Sequence, residues 1–89
     1  MLVTVVRAGY GIIVVDQGFV YVGEFEVDDK FCHLTRAKNI RVWGTKRGLG
    51  QLSLEGPTQT TILDAIADVH IPIGRVLHVI DTERTKWPA

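Results

Sequence analysis

Residues 2–16 carry apolar side chains in near-continuous runs: Leu2 to Arg7 and Tyr10 to Asp16 are rich in Val and Ile and are parted at Ala8-Gly9. This predicts two strands, or one long strand with a glycine bulge. Ile12, Ile13, Val14 and Val15 are consecutive, so both faces of the segment require cover. After a turn at Asp16-Gln17-Gly18 the pattern alternates, with Phe19, Tyr21, Phe25 and Val27 on one side and Val20, Val22, Glu24 and Glu26 on the other. One face is core, and the other becomes wet at its far end. Val27-Asp28-Asp29-Lys30 reads as a hairpin turn, because aspartate bonds to its own backbone, and the chain returns through Phe31 to Leu34.

Ala37-Lys38-Asn39 interrupts the next strand before Ile40 to Trp43, where Ile40 and Val42 alternate with Arg41 and Trp43. Leu49 to Glu55 fits two descriptions: Leu52 and Leu54 alternate as in a strand, while Leu49 and Leu52 fit one helical turn ended by Gly56-Pro57. The short helix is the reading adopted. Thr58 to Thr61 is a polar loop. Thr61-Ile62-Leu63-Asp64 has the spacing of a capping box that would start a helix through Ala67, against its β-branched neighbours. Asp68 to Ile73 and Arg75 to Asp81 read as a final antiparallel pair turning at Pro72 to Gly74. The expectation is a mainly β chain, a small antiparallel meander or partly open barrel with at most one short helix, occupying residues 1–82 as a single domain, with a polar tail over 83–89.

Composition sharpens this picture at one point. At 89 residues the core must be thin. Yet 46% of residues are apolar, 22% are charged and the mean hydropathy is +0.16, so the chain is globular and has more apolar side chains than a thin core readily hides. With little predicted helix, a second copy is the economical cover, which predicts a homo-oligomer. Ten basic residues balance ten acidic ones, which weighs against a broad nucleic-acid surface. A lone cysteine, Cys32, no leader pattern and no apolar run of spanning length predict a soluble cytoplasmic protein without a membrane partner.

The stretch with the look of a site is Trp43-Gly44-Thr45-Lys46-Arg47-Gly48-Leu49-Gly50. Its glycines free the backbone and Lys46 and Arg47 add positive charge, so amides from Thr45 onward and the start of a helix could face a phosphate. The alternative is a solvated loop, since the spacing fits neither a Walker nor a dinucleotide fingerprint. Trp43 would stack a base or fill core. Arg36 and Arg41 lie on opposite faces of an uninterrupted strand, unless residues 37–39 reset the register. His33, His70 and His78 sit on separate strands with no metal-ligand spacing, and Cys32 and His33 are adjacent strand residues that point apart. No catalytic residue, metal or cofactor is assigned. Trp87, in the tail, is either disordered or buried in an assembly.

The block Leu34 to Trp43 with Ala37, Ile40 and Trp43, followed by Leu49, Leu52 and Gly56-Pro57, resembles a family of small phage and prophage proteins over nearly the whole chain. The chain departs from that family at the hairpin, with Asp29-Lys30 in place of the usual Asp-Gly. The resemblance implies a viral origin, a compact β-rich fold with one short helix, no established enzymatic activity, and the host cell cytoplasm as location. Phage sponges that sequester nucleotide signals of bacterial immunity offer an analogy of type. The functional expectation is therefore a non-enzymatic, homo-oligomeric accessory protein that binds a small anionic ligand. In it Trp43 would stack, Thr45, Lys46 and Arg47 would hold phosphate, and Arg41 or Arg75 would complete the pocket across a subunit boundary. The rivals are a module that docks on a host or virion protein and a weak single-strand nucleic-acid binder.

Overall fold

The computed structural model describes residues 7–88; the strand expected over residues 2–6 lies outside them. β1 (Arg7–Val15), β2 (Val20–Val27) and β3 (Phe31–Val42) form the anticipated antiparallel meander. β1 keeps one register against β2 from Arg7 to Val14, with neither break nor bulge at Ala8-Gly9. The β2–β3 turn works as its aspartate suggests. Asp28 Oδ1 accepts the amides of Lys30 at 2.8 Å and Phe31 at 2.7 Å, and Oδ2 accepts His33 Nε2 at 2.8 Å.

Those hydrogen bonds favour the ionised carboxyl and hold its pKa at about 2, the two backbone amides contributing most. Because this lies below the unfolded value of about 4, the carboxylate's contribution to stability is complete above that value. It is lost as pH falls through about 2. Asp28→Asn should therefore melt lower than the parent at pH 7 and show a shallower loss of melting temperature between pH 4 and pH 2. Parallel melting curves across that range would contradict the assignment.

β3 does not stop at Ala37-Lys38-Asn39 but runs through, absorbing the irregularity as a bulge. Val22 pairs with Lys38 and Glu24 with Thr35, so Arg36 and Ala37 together oppose Gly23. Arg36 takes a left-handed φ of 48° to make room. The bulge resets which side chains face inward: Cys32, Leu34 and Ala37 join one core, and Ile40 joins the other.

The far edge of β3 is shared by two short strands. β4 (Ile62–Ala65) pairs with Lys38 to Val42, and β5 (Val69–Pro72) pairs with Phe31 to Leu34. The capping-box helix over residues 61–67 is therefore absent. β-branched side chains and an open edge to pair with outweigh a single local cap. β6 (Val76–Asp81) pairs with β1, not with β5. The expected terminal hairpin fails because the three-residue 3-10 turn Ile73–Arg75 carries the chain from one edge of the sheet to the other, and the Ile73 amide is bound to the Lys30 carbonyl at 2.8 Å. The result is a six-stranded antiparallel sheet, rolled but not closed into a barrel.

Two cores lie on the two faces of this sheet, as the Ile12-Ile13 doublet required. Ile13, Phe25, Cys32, Leu34 and Ile71 fill the first, inside the roll. Ile12, Val20, Val22 and Ile40 begin the second, which α1 (Gly48–Glu55) covers with Leu52 and the C-terminal segment covers with Trp87. Each such fully buried side chain is worth about 1.5–3 kcal/mol. Cover sought in a second copy thus comes, around Leu52 and Trp87, from the same chain. Trp87 is only 7% exposed, so the tail is neither disordered nor dependent on an assembly for its tryptophan's burial. Among the described residues no helix is long and apolar enough to cross a membrane.

Candidate functional site

The loop between β3 and α1 is held from behind by threonines. Thr61 Oγ1 donates to the Trp43 carbonyl at 2.6 Å, and the Thr58 and Thr60 hydroxyls donate to the Gly44 carbonyl at 2.7 and 3.1 Å. Thr45 Oγ1 donates to the Gly48 carbonyl at 3.0 Å. Positive φ angles of 66° at Gly44 and 69° at Gly48 let the backbone make this bend. The carbonyls of Trp43, Gly44 and Gly48 are thereby occupied by threonine hydroxyls.

Trp43 stands on this scaffold with 42% of its surface in water, its ring lying against Gly48. Of its two readings, stacking platform or core, the exposed position is at odds with the second. The core role falls to Trp87. Lys46 is exposed and meets no acid among the described residues. Arg47 donates its amide to Gln51 Oε1 at 3.1 Å and pairs its guanidinium with Glu55 across the helix. Both members of that pair are more than half exposed, so the pair is worth at most about 1 kcal/mol and yields readily to a stronger anion.

The remaining expected partners are not brought to this loop within one chain. Arg41 is held by Asp64 through Nε at 2.8 Å and Nη2 at 3.3 Å, and that carboxylate raises the guanidinium's already high pKa. Arg75 pairs with Asp16 at 2.8 Å where β6 begins beside β1, on the opposite edge of the sheet from β4. Arg36, whose convergence with Arg41 the sequence left open, turns instead to Glu24 at 2.6 Å.

Two features escaped the sequence. His33 and His70 are direct cross-strand neighbours on β3 and β5, their Nδ1 atoms 2.7 Å apart and sharing one hydrogen, with Asp28 behind His33. Thirty-seven residues separate them, and no local signal reveals a contact made only once β5 docks on β3. The other is an open cleft of about 570 Å³ on the polar half of the second face, lined by Tyr10, Glu24, Glu26, His33, Thr35 and Arg84. Arg84 lies over the Tyr10 ring at 5.7 Å and pairs with Glu24, while burial pushes the Tyr10 phenol up in pKa. Reading the tail as polar hid Arg84's part in it.

Cys32 points into the first core while His33 faces the opposite side, and burial raises the thiol's pKa. This pair therefore lacks the geometry of an activated nucleophile. Among the described residues, no group of three or more His, Cys, Asp or Glu side chains is placed to hold a metal ion. No family model, curated protein or solved structure matches this chain.

Proposed function

We propose that the protein is a non-enzymatic accessory protein of the phage kind that, as a homo-oligomer, binds and sequesters a small anionic ligand of the nucleotide class. The observation that carries this reading is the exposed Trp43 indole on a loop that is braced by threonine hydroxyls and whose Lys46 is uncommitted. A base stacks on the indole for about 1–3 kcal/mol, and phosphate takes Lys46, Thr45, and Arg47 once it leaves Glu55. Arg41 stays with Asp64. Arg75, on the far edge, stays with Asp16. The assignment to phage biology rests on the sequence resemblance and on the analogy with nucleotide sponges.

Fluorescence titration with a panel of cyclic dinucleotides, ADP-ribose and inorganic phosphate tests the site directly. Trp43 is in water and Trp87 is buried, so ligand quenching should vanish in Trp43→Leu and persist in Trp87→Phe. Lys46→Ala and Arg47→Ala should each weaken binding by about tenfold, near 1.4 kcal/mol. A panel that leaves the emission unchanged, or affinities indifferent to both cations, would remove the site from this loop.

A further inference from the structure

The rolled sheet has unequal free edges. β4 and β5 offer only Ile62–Ala65 and Val69–Pro72, the latter ended by a proline that has no amide to give. β6 spans Val76–Asp81, contains neither proline nor lysine, and among the described residues pairs only with β1. The Thr82 amide reaches back to the Tyr10 carbonyl at 3.2 Å, so by strand alternation the Ile80 backbone faces β1 and the Val79 and Asp81 backbones face outward. Leu77 sits beside them at 59% exposure. A bulge sits at Leu77, since Val14 pairs with His78 and Val15 with Val76, but an apolar edge free of proline and lysine remains a template for another strand.

We propose that β6 pairs antiparallel with β6 of a second copy about a two-fold axis at His78, joining two sheets into one. The proposal rests on the homo-oligomeric part of the function proposed above and names the surface that serves it. The choice of a second copy over a foreign strand comes from charge. With His78 on the axis, Leu77 faces the partner's Val79 and Val76 faces the partner's Ile80, and Arg75, the last residue of the turn that leads into β6, comes beside the partner's Asp81. Within one chain Arg75 already holds Asp16, and Asp81 holds Arg7. Each end of the paired strands would then be a row of alternating sign, Asp16, Arg75, Asp81 of the partner subunit, Arg7 of the partner subunit, formed twice by symmetry. An in-register parallel arrangement sets Asp81 against the partner's Asp81, and a shift by one residue sets it against the partner's Val76 or the partner's Gly74; neither offers the carboxylate a cation. These charges are exposed and cost the monomer fold little when changed.

Sedimentation equilibrium of the full chain should give twice the monomer mass. Asp81→Arg, which sets arginine against arginine, should weaken the dimer at least tenfold, and Arg75→Asp in the same chain should restore it. The strand axis provides a second reading. Residues facing themselves across a non-hydrogen-bonded pair have Cα atoms about 4.5 Å apart, inside the range of about 4.4–6.8 Å that a disulfide accepts. His78→Cys should therefore crosslink under mild oxidation, while Asp68→Cys, exposed on another edge, should not. Buried Trp87 emission verifies that each variant is folded. A monomeric parent, a dimer indifferent to Asp81→Arg, or no crosslink at position 78 would each overturn the proposal. Nucleotide binding by the Asp81→Arg variant is scored separately, so loss of the dimer with binding retained refutes only this interface, and loss of binding with the dimer intact refutes only the ligand.

Discussion

Trp87→Ala should cost about 3–5 kcal/mol, the usual range for emptying a buried aromatic site, and should leave the domain close to unfolded at 37 °C. The side chain is 7% exposed and shares the second core with Leu52, Ile12 and Val22. Its indole N–H donates to Thr82 Oγ1 at 3.0 Å, and that hydroxyl donates in turn to the Ser53 carbonyl on α1 at 2.7 Å. The tryptophan therefore fills space between helix and sheet and also ties the end of β6 to the helix. Alanine removes both roles at once. Single domains of this size have stabilities near the lower end of about 5–15 kcal/mol, so the loss is most of what is available. Trp87→Phe keeps the larger part of the volume and forfeits the hydrogen bond, and should cost only about 1–2 kcal/mol. Urea denaturation of the three proteins measures both steps. A loss below about 1 kcal/mol for the alanine variant would mean that the tail does not seal this face.

The two tryptophans show where sequence reading succeeds and where it fails. Periodicity finds local elements, so the meander, the two-sided β1, the Asp28 turn and α1 with its Gly56 end were all legible. It does not say which distant segment covers a face. A tryptophan between Thr, Lys and Pro in a polar terminus carries no pattern, yet Trp87 reaches the core because the turn at residues 84–86 swings it onto α1's partner face. Trp43, beside an apolar strand, instead stands in water, since β3 ends one residue before it. The same limit explains β5 and β6: adjacency and a proline-glycine turn suggest a hairpin, whereas β5 joins β4 on the edge of β3 and β6 takes the edge of β1. Of the candidate site, the loop conformation and its cations were legible, but the carboxylates that occupy Arg41, Arg47 and Arg75 come from 8 to 59 residues away. Charge balance across the whole chain hinted that such partners exist and could not say which.

Gly23→Ala should destabilise by about 3 kcal/mol, at the upper end of overpacking costs, although a single methyl on a strand is ordinarily harmless. A Cβ at this position would lie 2.8 Å from both Cα and Cβ of Ala37 and 3.2 Å from the Thr35 carbonyl oxygen, where carbon atoms normally rest about 3.5–4.0 Å apart. The crowding is the direct consequence of the β3 bulge, which sets Arg36 and Ala37 against this one residue. Relief by separating β2 from β3 breaks ladder hydrogen bonds. Relief by unwinding the bulge shifts one half of β3 by a residue and turns either Cys32 and Leu34 or Ile40 away from their cores. Neither escape is cheap. Ala37→Gly alone should cost about 1 kcal/mol in backbone entropy, but combined with Gly23→Ala it removes one of the two colliding atoms. The double variant should therefore be more stable than the sum of the single losses predicts, by about 1 kcal/mol or more. Strict additivity in urea denaturation would mean that the bulge is not what demands glycine at position 23.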